Sequence, residues 1–69
     1  QKDDASALRL LQEVVRDKPD YAAAHYVLAY LYAKSPATAA QARPHYERFL
    51  QLAPNDPAAP AVRKWLQGR

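Results

Sequence analysis

The side chains that could do chemistry in this chain are two imidazoles, two serines, a handful of carboxylates and a set of tyrosines. His25 and His45 could ligate a metal or carry a proton. A helical metal pair, however, needs its ligands one turn apart, and neither histidine stands four residues from another His or a Glu. Lying far apart in sequence, they read as independent residues, with His45 on a helix surface. Ser6 and Ser35 are the only serines, and Ser35 precedes Pro36, where a capping or turn role outweighs that of a nucleophile. Asp3, Asp4, Asp17 and Asp20 fall at helix ends, where carboxylates complement an N-terminal dipole or face water. There is no glycine-rich phosphate loop, and the absence of cysteine removes thiol catalysis, thiolate metal sites and disulfides together. The expectation is a chain that is not an enzyme, with no catalytic residue, metal, cofactor or small-molecule substrate. The informative feature is aromatic. Tyr26, Tyr30 and Lys34 recur every four residues and form one ridge, set apart from the ridge of Leu28 and Tyr32. Tyrosine combines a large contact area, few rotors and a hydroxyl, which suits peptide recognition.

The elements that must carry this ridge are helices. A single Gly, six Pro and few β-branched residues argue for helices with proline-marked ends and against strands with glycine turns. At 69 residues the chain holds one domain. Hydrophobic residues make up 49%, but so many are Ala that the aromatics must supply much of the core. The formal charge of +3 mildly favours acidic partners. Lys and Arg are nevertheless interleaved with acids, and the longest basic run is Arg63-Lys64, so no basic arm emerges. No apolar run approaches the roughly 20 residues of a membrane span, and no signal-peptide layout is present. The expectation is a soluble chain, with cytoplasm and periplasm both open as compartments. Because Met is absent even from the first position, the chain reads as an excerpt or a processed form.

Ala7, Leu8, Leu11, Val14 and Val15 recur at helical spacing between Asp3 or Asp4 as N-cap and the stop at Lys18-Pro19. Asp20 can cap a second segment whose His25, Leu28, Ala29 and Tyr32 share a face, closed by Ser35-Pro36. A third carries Ala42, Tyr46, Phe49 and Leu50 and ends at Ala53-Pro54. Its start is set at about Ala40, after an irregular turn over 36–39, because Pro44 is tolerated only near a helix start. In a fourth, Ala58, Ala61, Val62, Trp65 and Leu66 share a face, and Pro57 and Pro60 compete for the first position. The expected helices run near 4–18, 21–34, 40–53 and 57–67, each antiparallel to the next.

Sliding the chain along itself until Pro19 meets Pro54 pairs Ala7 with Ala42, Leu11 with Tyr46, Val14 with Phe49 and Val15 with Leu50. Such a doubled small–large–proline pattern is a repeat signal. His25-x₂-Leu28-Ala29-x₂-Tyr32, then Ala42-x₃-Tyr46, then Pro54, resembles the tetratricopeptide repeat, whose pattern over about 34 residues is W-x₂-L-G-x₂-Y, A-x₃-F and P. The chain departs from that pattern with His25 at the opening aromatic, Ala29 for glycine, and Ser35-Pro36-Ala37 where the turn glycine belongs. The resemblance implies an all-α fold of antiparallel helix-turn-helix repeats, a fragment of a right-handed α-solenoid with about four helices. Residues 1–20 would be the second helix of a preceding repeat, 21–56 one full repeat, and 57–69 a divergent C-terminal capping helix. It implies a repeat core of Ala7, Leu11, Pro19, His25, Leu28, Ala29, Tyr32, Ala42, Tyr46, Phe49 and Pro54, with Ala29 and Ala42 at the closest approach of helices two and three. It also implies a concave groove lined by Ala23, Tyr26, Tyr30, Ala33 and Lys34 that receives a peptide or helix of a partner protein. Members that clamp a C-terminal carboxylate use Lys and Asn in this groove, where the present residues are Tyr, so that activity is not expected. The alternative is nucleic-acid binding through positive charge and Tyr stacking, which would make affinity fall steeply with salt. The first helix would lack its partner, leaving Ala7 and Leu11 uncovered, and a homodimer through that helix is one way to cover them.

Overall fold

The computed structural model describes residues 4–68. It contains four helices, α1 (Asp4–Asp17), α2 (Ala22–Ala33), α3 (Ala39–Leu52) and α4 (Ala59–Gln67), and no strand among the described residues. Each helix packs on its neighbour in the chain, α2 most closely on α3. Direction follows from which ends meet. Lys34 after α2 reaches Asp4 at the start of α1, Tyr26 early in α2 meets Phe49 late in α3, and Arg43 early in α3 reaches the Leu66 carbonyl late in α4. Successive helices are therefore antiparallel.

The core is the α2–α3 interface, where Leu28, Ala29, Tyr32, Ala42, Tyr46 and Phe49 are buried and Val62 of α4 joins them. Ala29 and Ala42 are fully enclosed, so small residues stand where the two helices crowd most. Leu8, Leu11 and Val15 of α1 pack partly buried against this cluster. Leu11, expected to lack a partner within the chain, thus finds one in the exposed side of the central pair. Ala7 is half-buried as well, whereas Pro19 and Pro54 lie exposed in the connectors.

Several helix ends differ from the sequence reading in cause. Tyr21, not Asp20, occupies the N-cap of α2 and makes no side-chain cap bond. Asp20 instead accepts a hydrogen bond from the Arg48 guanidinium at 3.1 Å, tying the α1–α2 connector to α3. Asp3 lies outside the described residues. Helix α3 starts at Ala39, and the Thr38 hydroxyl before it donates to the Tyr32 carbonyl at 2.7 Å. That bond satisfies an end carbonyl of α2 without a left-handed residue, and none of the described non-glycine residues has positive φ. Pro44 lies inside α3 on an exposed position. The carbonyl it leaves without an N–H belongs to Ala40, also exposed, where water can serve it. Helix α4 takes Pro60, not Pro57, near its first position, and the Asp56 carboxylate accepts from the Ala58 N–H just before it. Its inward residues include Ala59 in place of the expected Ala61, which is exposed, because Ala59 stands one turn from Val62 and two from Leu66.

Candidate binding face and the histidine pair

Helix α2 has no charged residue in AAAHYVLAYLYA. A helix apolar all round belongs in an interior. Here, however, α1 and α3 leave one side open, and the exposed stripe is Ala23, Val27, Tyr30 and, just past the helix end, Lys34. Val27 is 40% and Tyr30 53% exposed. Of the residues expected to line a groove, Ala23, Tyr30 and Lys34 lie on this stripe. Ala33 is half-buried against the core, and Tyr26 turns toward α3, its ring centre 5.1 Å from that of Phe49 and 6.1 Å from that of Tyr46. Val27, four residues from Ala23 and three from Tyr30, completes the stripe, although it lies outside the expected ridge of Tyr26, Tyr30 and Lys34.

Lys34 anchors the end of the stripe. Its ammonium lies 3.0 Å from the Asp4 carboxylate and 5.9 Å from the Tyr30 ring centre, and the bond to Asp4 raises its pKa. The positive charge is thus fixed beside the exposed tyrosine. On α3, burial raises the Tyr46 pKa, with the neighbouring Tyr26 and Tyr30 adding to it. A separate cleft of about 560 Å³ is lined by Pro36, Ala39, Ala40, Arg43, Trp65 and Gly68. Its one cation, Arg43, is directed to the Leu66 carbonyl at 3.4 Å and to Glu47 at 3.9 Å.

The histidines, read from sequence as independent, are in contact. His25 is buried, and its Nε2 lies 2.9 Å from the Pro19 carbonyl. A carbonyl can only accept, so Nε2 carries the proton and Nδ1 of neutral His25 is left as an acceptor. His45 Nδ1 stands 3.2 Å from it. The ring centres are 5.4 Å apart, which exceeds the nitrogen separation by about the two ring radii laid end to end, so the nitrogens face each other along the line of centres. This geometry suits one N–H···N bond, His45 donating. It does not suit a metal ion, since two Zn–N bonds of about 2.0–2.1 Å would need either angled lone pairs or nitrogens roughly 4 Å apart. Among the described residues no group of three or more His, Cys, Asp or Glu could hold a metal. The His45 ring also stacks on Tyr32 at 5.8 Å, and the Tyr32 hydroxyl accepts from Gln12 Nε2 of α1 at 2.7 Å. Burial lowers the His45 pKa, and the neighbouring His25 lowers it further.

Neither a family model, nor a curated protein, nor a solved structure matches this chain. No helix among the described residues is long and apolar enough to cross a membrane.

Proposed function

We propose that this chain is a tetratricopeptide-like interaction module that presents the open face of α2 to an apolar peptide or helix of another protein. The observation that carries the reading is an uncharged helix with Val27 and Tyr30 exposed side by side. Water contact with such a stripe is costly, and contiguous exposed apolar surface on a small domain marks a contact site. The tyrosine supplies area at low entropic cost, and Lys34, paired with Asp4, closes one end of the stripe. A helix laid along this face would meet it with its own i, i+3 and i+4 apolar positions. Self-association through α1 is a second contact of the same kind, supported by Leu10, which is 63% exposed on that helix.

The test is selection of a displayed random peptide library on the chain, followed by binding to Val27→Glu, Tyr30→Ala. The expected result is enrichment of apolar, helix-forming peptides whose affinity falls at least tenfold in the variant, with far-ultraviolet dichroism unchanged. Peptides bound equally by both proteins would refute the assignment. Affinity for single-stranded nucleic acid that drops steeply with salt would replace it with the nucleic-acid reading.

A further inference from the structure

Two imidazoles that meet nitrogen to nitrogen can share one proton but cannot each hold one. With both rings neutral, His25 keeps its Nε2 proton on the Pro19 carbonyl and His45 donates through Nδ1. One added proton leaves that bond in place, because the ring gaining it protonates at a nitrogen outside the contact or shares the proton within it. A second added proton puts N–H against N–H at 3.2 Å, with two positive charges in adjacent rings. No carboxylate among the described residues pairs with either ring to offset them. The α1–α2 connector contributes the Pro19 carbonyl and Asp20, and Asp20 is engaged by Arg48 of α3. From α2 comes the Tyr32 ring, and from α1 the neutral Gln12 on its hydroxyl. Among the described residues neither imidazole forms an ion pair.

We propose that His25 and His45 form a proton-operated latch between α2, α3 and the α1–α2 connector, closed while the pair holds at most one positive charge and opened when both rings are charged. The proposal stands independently of any ligand on α2. His25 stays held by the Pro19 carbonyl, and the element released is His45 with its stack on Tyr32. The sign follows from linkage. Histidine in the unfolded chain takes its proton near pH 6.5, whereas burial and the partner ring hold His45 below that value. The unfolded state therefore binds more protons as pH falls below 6.5, and stability present at neutral pH is lost as the solution becomes acidic.

The experiment follows the imidazole nitrogens of the 69-residue chain by ¹⁵N–¹H correlation across pH, together with thermal unfolding of the wild type and of His45→Phe. At pH 8 the expected tautomers are Nε2–H for His25 and Nδ1–H for His45, with His45 titrating below an unfolded-chain histidine. The wild-type thermal midpoint should fall by about 5 °C from pH 7.5 to pH 5, the shift that loss of one buried hydrogen bond produces in a domain this size. That fall should shrink in His45→Phe, which keeps a ring on Tyr32 and cannot be charged. Two histidines titrating independently at their ordinary value, or an acid response unaltered by the substitution, would overturn the latch. Should His45→Phe not fold, the wild-type tautomers and titration decide alone.

Discussion

Helices α2 and α3 meet through a cluster of six buried apolar residues, Phe49 and three others with rings or large aliphatic side chains among them, whereas α1 buries no residue fully and α4 buries only Ala59 and Val62. The two kinds of contact draw on different side chains. In the central pair, aromatic rings close over alanines, so that Tyr26, Tyr46, Phe49 and, from α4, Trp65 form a continuous set of ring contacts. Along α1, the aliphatic side chains rest half-open on that assembly, aided by Gln12 on Tyr32 and by the Asp4–Lys34 pair. Stability is therefore concentrated in one interface, and the outer helices depend on it more than it depends on them.

The largest expected effect is at the centre. Phe49→Ala removes one of the two largest fully buried side chains and should cost about 3–5 kcal/mol, enough to unfold so small a domain. Far-ultraviolet dichroism at 25 °C checks it, and a cooperative native melt in this variant would break the contrast between centre and flank. A smaller loss is expected from Ala29→Leu or Ala42→Leu, which force a larger residue into a closed contact at about 1–3 kcal/mol each. Urea denaturation measures this, and two neutral variants would show that the α2–α3 register is not as described. At the flank, Leu10→Ser should leave the unfolding free energy within about 0.5 kcal/mol, since the side chain is mostly in water already. Sedimentation equilibrium on the same variant sharpens the comparison: any self-association of the wild type through α1 should weaken, and association unchanged by the substitution would move that contact elsewhere.

The helices were legible in the sequence because their signals are local. Ala7, Leu8, Leu11, Val14 and Val15 all face inward as their spacing predicts, and Ala24, His25, Leu28, Ala29 and Tyr32 include every residue assigned to the inner face of α2. What spacing could not convey was competition between side chains for the same bond. Asp20 could cap the N-terminus of α2 or pair with a cation brought by another helix, and it is the Arg48 guanidinium of α3 that it holds. The candidate site was legible in part. Of the expected ridge on α2, Tyr30 and Lys34 are exposed, but whether Tyr26 or Val27 faces water depends on α3, where Phe49 and Tyr46 offer an aromatic ring better contacts than solvent does. The His25–His45 contact depends on the way α2 and α3 cross, and no local pattern encodes a meeting between residues on different helices.

Because each helix touches only its neighbours along the chain, the native contacts join segments that are never far apart in sequence. Little loop-closure entropy has to be overcome before they form, which places the chain among fast folders, on the microsecond-to-millisecond scale of small helical proteins. The α2–α3 hairpin, with a connector of a few residues and the densest packing, is the natural nucleus, and α1 and α4 can then add from either side in any order. The same layout runs backwards on unfolding. The ends fray first, exposing the outer sides of α2 and α3 while the central hairpin is still intact, so a brief opening of α1 would widen the very surface that α2 offers to water.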